Sequence, residues 1–415
     1  MIRLTKVDVK NFKNISSASF DLQDFNLLVG PNNSGKTNFF KVFPFLNSVL
    51  FSSNEMVSKI LNHNGRPFNT PSVVPNKKVG KGLVVEFAIE FDVETNNEQT
   101  YKYKYSLSLA VDQKDNIVSM RFSEEKFQFR LVGQTGPWIK IFERNDTNLD
   151  SGREYKSFFV AKSVADYMSA LVFVPLFSSS NLVNVHPEIS VGYDALKSIL
   201  SSPIYYFSNI ALRSKKATEF INDSRTYSSN LEEDISILSK DELKWRLFTE
   251  VLSKVLNIEE VHLYPVPAEV GKETVIQNFV VVKRFKFSGH IMGLSDGSLN
   301  IIALVTNLLI GSSSILFIEE IENSIHPKAL EILVRFLQSF KDQKQIIIST
   351  HSPSMLHLVN VDQVIVSNVQ PTGFSVLSKV ENSKELEKSL NKGVISFGEL
   401  FLHNFKIEEE DESVL

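Results

Sequence analysis

The stretch "GPNNSGKT" (residues 30–37) decides how this chain is read. Gly30, four residues, and then Gly35-Lys36-Thr37 fill every fixed position of a phosphate-cradling P-loop. In such a loop successive backbone N–H groups face phosphate oxygens. The lysine reaches the β and γ phosphates, and the threonine hydroxyl coordinates Mg²⁺. The flanks agree. The apolar run "FNLLV" enters the loop as a buried strand, and "TNFFKVFPFLNSVLF" leaves it with apolar residues at helical spacing. The phosphates would therefore sit on a helix N-terminus. A Gly/Asn-rich surface turn explains the letters but not the strand and helix around them. Gly30, Asn32, Asn33, Ser34, Gly35, Lys36, Thr37 and Asn38 are the expected nucleotide contacts, with ATP and Mg²⁺ as the bound species.

Composition narrows the rest. The 415 residues are 43% hydrophobic, enough for one large core or two to three lobes. With 44 Lys+Arg against 48 Asp+Glu the net charge is −4, so any DNA contact must come from a local patch. The chain has no cysteine, which excludes disulfides, thiolate zinc sites and cysteine nucleophiles. No run of about eighteen uncharged apolar residues exists, and "MIRLTKVDVK" lacks a signal-peptide core. The expectation is a soluble, cytoplasmic protein without a membrane partner.

Along the chain, residues 2–9 and 16–22 read as strands leading to the P-loop. The segment 58–82 reads as a long loop carrying Lys59, Arg66, Lys77, Lys78 and Lys81 with no acid. Strict alternation follows. Val85, Phe87, Ile89 and Phe91 share one face, and Tyr101, Tyr103, Tyr105, Leu107 and Leu109 repeat the pattern, which predicts an antiparallel sheet with one wet side. Residues 161–258 read as mostly helical, with a strand within 203–213 and two amphipathic helices in 230–257. Strands return at 259–286. Helices and apolar strands then alternate: a helix after Ser295, a strand at 314–320, a helix at 326–341, and strands at 345–350 and 362–368. That is a parallel α/β half-sheet. The expected fold class is α/β, with a mixed β core, an antiparallel β subdomain and an inserted helical lobe. The expected divisions are 1–160, 161–258, 259–379, and 380–415 as a C-terminal helix with the acidic tail "IEEEDESVL".

The second half of the site is "SILFIEEIENSIHP" (314–327), an apolar strand ending in Glu319-Glu320. Adjacent acids at the end of a buried strand are costly unless a cation or a water needs them. Beside a P-loop, one acid would order the Mg²⁺ shell and the other would take a proton from the water attacking the γ-phosphate. "GLSDGSLNIIAL" (293–304) opens a helix with Ser295, Asp296, Gly297 and Ser298, which alone is an ordinary N-cap. "QIIISTHSP" (345–353) sets His351 after a buried strand, where a lone histidine is more often structural.

Together, in their chain order of P-loop, Ser-Asp-Gly helix, apolar strand with two acids and strand with His, the four pieces resemble the ABC-class ATPase head. Within that class the chain looks like the branch of RecF, the chromosome-maintenance ATPases and the OLD (overcoming lysogenisation defect) proteins. "VKNFKNI" (9–15) is similar to that branch's opening strand and turn, and "EEIENSIHP" resembles its Walker B and D-loop. The resemblance covers residues 1–50 and 285–370 closely and the middle only in architecture. It implies that Lys36 and the loop amides hold phosphates, Thr37 and Glu319 serve Mg²⁺, Glu320 activates water, and His351 senses the γ-phosphate. It also implies that Ser295 and Gly297 cap the γ-phosphate of a partner subunit, so that two heads work as a homo-dimer or within a larger homo-oligomer. Glu319 stands where many relatives have Asp, and Asp296 replaces the glycine of the transporter signature. Gln128 and Gln134 are candidates for the Q-loop, and Lys13 for an approach to the nucleotide.

Spacing separates the members of the class. A transporter motor places its signature roughly a hundred residues after the P-loop, whereas here 295 − 37 = 258 intervene. A GTPase is disfavoured because "TKVD" (5–8) precedes the P-loop and lies in a strand. Long coiled-coil arms are absent from the sequence pattern. Only 415 − 368 = 47 residues follow the last core strand, fewer than the roughly hundred of an added nuclease domain. Compact heads of this kind resemble ATPase subunits of bacterial anti-phage systems that act beside a separately encoded effector. The leading expectation is an ATP-switched sensor or scaffold for such an effector. The alternative is a RecF-like DNA-binding repair ATPase.

Overall fold

The computed structural model describes residues 1–51, 83–96, 98–114, 117–133, 136–156, 163–165, 167–172, 174, 186–206, 231–270, 273–323 and 325–380. The basic loop 58–82, Gln134, residues 207–213, and the tail with its expected helix beyond 380 lie outside them. The core is one 13-stranded sheet in the order β8-β7-β6-β5-β4-β1-β2-β16-β15-β3-β14-β13-β9. One half is antiparallel: β1 (Ile2–Phe12), β2 (Ile15–Asp21), β4 (Val84–Glu94), β5 (Thr100–Lys114), β6 (Ile117–Leu131), β7 (Ile139–Asn145) and β8 (Asn148–Ser151). The other half is parallel: β3 (Phe25–Val29), β9 (Ile204–Tyr206), β13 (Ile315–Glu319), β14 (Gln345–Thr350) and β15 (Val364–Val369). The strand β16 (Ser375–Lys379) joins them, antiparallel to β15 and parallel to β2. The antiparallel strands thus continue the nucleotide sheet rather than forming a layer apart.

The sequence pattern explains the difference between the halves. FNLLV, ILFIE and QIIIST are buried at every position, as strands covered on both faces must be. Along them the side chains alternate between two cores. Leu28, Ile315, Phe317 and Ile347 enter one cluster; Leu27, Val29, Leu316, Ile318, Ile346 and Ile348 enter the other. The first is covered by α1 (Lys36–Phe40), α2 (Val42–Phe51) and α3 (Pro187–Leu200), with Phe40 and Phe43 packed on Phe317 at ring separations of 5.3 and 4.4 Å. The second is covered by α4 (Leu231–Leu238), α5 (Glu242–Leu256), α6 (Asp296–Ile310) and α7 (Pro327–Gln338). In α7, Leu330, Leu333, Val334 and Leu337 form the buried stripe.

The helix expected as one rod after the P-loop is two. Pro44 has no N–H for the Phe40 carbonyl, and its ring crowds that carbonyl, so the helix breaks at Lys41. In the antiparallel half Val85, Phe87, Ile89 and Phe91 are buried together, as are Tyr103, Tyr105, Leu107 and Leu109. The strands expected at 259–286 form a separate three-stranded sheet of β10 (Glu260–Val270), β11 (Glu273–Arg284) and β12 (Phe287–His290). Its inner residues Val280 and Val282 are buried in the second core.

Candidate active site

Parallel pairing puts the C-terminal ends of β3, β14 and β13 on one sheet edge, where Val29 lies opposite Thr350 and Ser349 opposite Glu319. Open α/β sheets bind ligands at such an edge. The P-loop leaves it directly. A Cβ on Gly30 would run into the Ser367 carbonyl oxygen and lie 2.8 Å from Ser34 Oγ, so only glycine fits. Gly35, at φ 97°, caps α1 in the left-handed region that glycine adopts freely. Asn33 also has positive φ, at 63°. Asn32 and Asn33 are exposed, and Ser34 is fully buried.

Lys36 is 5% exposed and donates to the carbonyls of Gly30 at 2.8 Å and Pro31 at 2.7 Å. Burial lowers its amine below the usual lysine range, opposed by the carboxylates of Glu320, Glu322 and Glu319. The Thr37 hydroxyl donates to Glu319 Oε1. Glu319 is itself buried, which raises its carboxyl above the usual range against the donation from Thr37. Its Oε2 has no hydrogen-bond partner. Glu320 stands at φ 52°, a left-handed backbone held by its N–H donating to Ser349 O at 2.9 Å. Such strain persists only where the surroundings impose it, and it collects at functional sites. The Glu320 carboxylate accepts from Asn323 Nδ2 at 2.7 Å and lies 4.0 Å from His351 Nδ1.

Four residues here were not singled out from the sequence. Glu322 accepts from Thr350 Oγ1 at 2.6 Å and from the His351 N–H at 2.9 Å, with His351 Nδ1 at 3.2 Å, so it positions the histidine. Its two-residue offset from Glu320 on "EEIEN" was the available signal. Asn14, in the turn between β1 and β2, donates to Asn33 O at 2.9 Å and accepts from Asn38 Nδ2 at 2.7 Å. It also donates to Ser375 Oγ at 3.0 Å, so β16 braces the loop. Ser367 of β15 donates to the Ser34 carbonyl. No sequence signal links Ser367 or Ser375 to a loop more than three hundred residues away.

Lys36, Thr37, Glu319, Glu320 and His351 are thus brought to one edge. Ser295 and Gly297 are not. Ser295 caps α6, accepting from the Ser298 N–H at 3.4 Å and meeting Ser298 Oγ at 2.9 Å, and Gly297 is buried in the same turn. One turn further, Asn300 buries both amide atoms without a partner. Gln128 lies inside β6 opposite Lys104 and Lys140. Lys13 sits at φ 55° with its amine 5.7 Å from the Phe12 ring.

The residues fit a phosphate chain and a divalent cation. Ser34 Oγ, Glu319 Oε2, Glu322 Oε2 and Ser349 Oγ are all buried without partners. Buried polar atoms are normally hydrogen-bonded, so such a concentration is what a ligand site leaves in its absence. Among the described residues no cluster of three or more His, Cys, Asp or Glu could hold a metal by itself. A cation here would need ligands from outside the protein, as a nucleotide-bound Mg²⁺ has.

A P-loop at the C-terminal edge of a parallel sheet, facing the buried Glu319 and the half-exposed Glu320, defines a nucleoside-triphosphate-binding protein of the ATPase class. The chain belongs to the AAA ATPase domain family, which matches residues 2–280. A second family, described as "AAA domain, putative AbiEii toxin, Type IV TA system", matches residues 230–356. The chain is 22% identical over 421 residues to the "Retron Vc95 probable ATPase" of Vibrio cholerae serotype O1 biovar El Tor, covering 92% of this chain and 76% of that protein. Among solved structures it is similar to the Smc head domain of Pyrococcus furiosus bound to the C-terminal domain of ScpA (TM-score 0.47, 14% identity, 94% of this chain and 99% of that one). It is also similar to the SMC head domain from Thermotoga maritima (TM-score 0.39, 13% identity, 91% and 99%). Among the described residues no helix is long and apolar enough to cross a membrane.

Proposed function

We propose that this chain binds Mg²⁺-ATP and hydrolyses it as an ABC-type head that works in pairs. The observation that carries the reading is the meeting of Lys36, Thr37, Glu319 and Glu320 on one strand edge, with four buried polar atoms unpartnered beside them. Lys36 and the loop amides hold the phosphates. Thr37 and Glu319 would hold Mg²⁺, whose charge would offset that of the β and γ phosphates. Glu320 takes the proton of the attacking water, and Asn323 fixes the carboxylate that receives it. His351, set by Glu322, lies close enough to Glu320 to register the γ-phosphate. Ser295 caps α6 with its hydroxyl exposed and no bond to its own P-loop, which supports action on a second subunit's nucleotide.

The test mixes two inactive variants, Ser295→Arg and Lys36→Ala. A mixed pair holds one site with both residues intact only if the signature acts in trans. Recovered hydrolysis supports the pair. Inactivity despite proven mixed dimers refutes it.

The likeness to a retron ATPase and to a toxin-system family supports a role in anti-phage defence, with ATP turnover switching a separately encoded effector. Expression with and without the adjacent gene, under phage challenge, tests this. Protection that needs neither Lys36 nor a partner gene would overturn it.

A further inference from the structure

Five of the eleven exposed large apolar side chains among the described residues lie on the three-stranded sheet: Tyr264, Val266, Phe279, Phe285 and Phe287. Such concentration marks an interaction surface, whereas scattered exposure does not. Tyr264 and Phe279 are direct cross-strand partners, so their rings share a face, and the His290 ring stacks on Phe279 at 3.9 Å. At the β11–β12 tip, Phe285 and Phe287 are 62% and 81% exposed.

The tip is built against local preference. Arg284 pairs with Phe287 across a two-residue turn, and Phe285 holds φ 55°. Glycine or asparagine takes that conformation at least cost. The other non-glycine residues at positive φ among those described are Asn, Asp, Lys and Glu, so Phe285 is the one bulky apolar side chain so placed. Its ring is turned to solvent and adds nothing to a core, so its use lies outside the fold.

The tip sequence "KRFKF" (283–287) interleaves rings with cations. Lys283 pairs with Glu260, whereas Arg284 and Lys286 have no acidic partner among the described residues. The Arg284 guanidinium sits 5.8 Å from the Phe285 ring centroid. Lysine is depleted from the cores of protein–protein interfaces. Aromatic platforms flanked by cations are what single strands use: bases stack on the rings and phosphates meet the charges. In a chain of net charge −4, that complementarity is local to this tip.

We propose that the rings and cations at the tip of the β11–β12 hairpin form a stacking site for single-stranded nucleic acid, separate from the P-loop edge. The test is fluorescence anisotropy of a labelled dT20 strand and of a dT20·dA20 duplex with the full chain, from about 50 to 200 mM salt. Expected is binding of the strand in preference to the duplex. Phe285→Ala/Phe287→Ala should weaken it on the order of tenfold per ring, with Phe285→Tyr/Phe287→Tyr restoring most of the loss. Arg284→Gln/Lys286→Gln should flatten the slope of log Kd against log salt by about 1.4, the value for two phosphate contacts on a single strand. Unchanged ATP affinity and melting temperature would show that the variants fold. No strand binding by the full chain, or binding that the ring variant leaves intact, overturns the proposal. Self-association lost in the ring variant without any strand binding overturns it too, and assigns the face to a second copy.

Discussion

Two buried carboxylates, one in each half of the sheet, meet opposite fates. Glu125 on β6 is fully buried and accepts from Tyr105 OH at 2.8 Å, Ser169 Oγ at 2.5 Å and the Ala170 N–H at 2.8 Å. Arg144 is buried beside it, donating to the carbonyls of Asp146, Met168 and Ala165 with its guanidinium over Phe122. Burial still raises the Glu125 carboxyl above its usual range, but its oxygens are partnered and the cluster pins Ala165, Met168, Ser169 and Ala170 to the sheet. Glu319 on β13 is nearly as buried, yet one of its oxygens has no partner and three neighbours share that condition. A completed network is architecture, whereas an incomplete one at a sheet edge marks a candidate ligand site.

The largest effect that can break this comparison is kinetic. Glu320→Gln keeps the side chain's shape and removes its proton acceptor, so hydrolysis should fall about 10²–10⁴-fold while ATP binding survives. ATP-dependent pairing should then persist in sizing experiments, because closure would be released by hydrolysis. Glu319→Gln should instead weaken Mg²⁺-dependent binding. If the two variants exchange these phenotypes, the roles of the two acids are reversed.

The opposite profile is expected in the other half. Glu125→Ala leaves the Tyr105 and Ser169 hydroxyls and the Ala170 N–H buried without their acceptor and Arg144 without a neighbouring opposite charge, which should cost about 3–5 kcal/mol by denaturant unfolding. At low temperature, where it stays folded, its ATP affinity should match the wild type. A nucleotide defect without a stability loss would erase the distinction between the halves.

The seam between them offers a pH test. Lys379, at the end of β16, is held down to about 8 by burial, against the attraction of Asp362 and Asp21. A lysine with a depressed folded value binds fewer protons folded than unfolded. Stability is therefore greatest above the unfolded value of 10.5, declines as pH falls from there to about 8, and levels off below. Urea midpoints should rise over that window by about 2 kcal/mol in stability, and Lys379→Met should remove the rise. A flat wild-type profile would mean that the seam is open to water.

The smallest effect concerns the hairpin. Phe285→Gly relieves a left-handed backbone and should stabilise the chain by about 1 kcal/mol in thermal unfolding while leaving ATP affinity alone. A destabilised variant would show that the ring has a structural role after all.

The sequence by itself determined the local features. The P-loop was legible because its glycines, through backbone geometry, and its lysine and threonine, through their side chains, act together within eight residues. Glu319-Glu320 was legible because acids ending an apolar strand contradict burial. Period-two alternation disclosed the antiparallel strands and the inward face of β4 and β5, and period 3.6 disclosed α7. Even the break after Phe40 could have been read from Pro44. Only the tertiary structure decided that both strand types share one sheet, since β16 joins β2 to β15 through backbone hydrogen bonds that carry no side-chain signature. It alone brought Asn14, Ser367 and Ser375 around the loop, and set Glu322 against His351. It also separated Glu125 from Glu319, two acids in apolar strands that look alike in one dimension. What distinguishes them is the set of donors that folding brings within hydrogen-bond reach, and those donors come from distant parts of the chain.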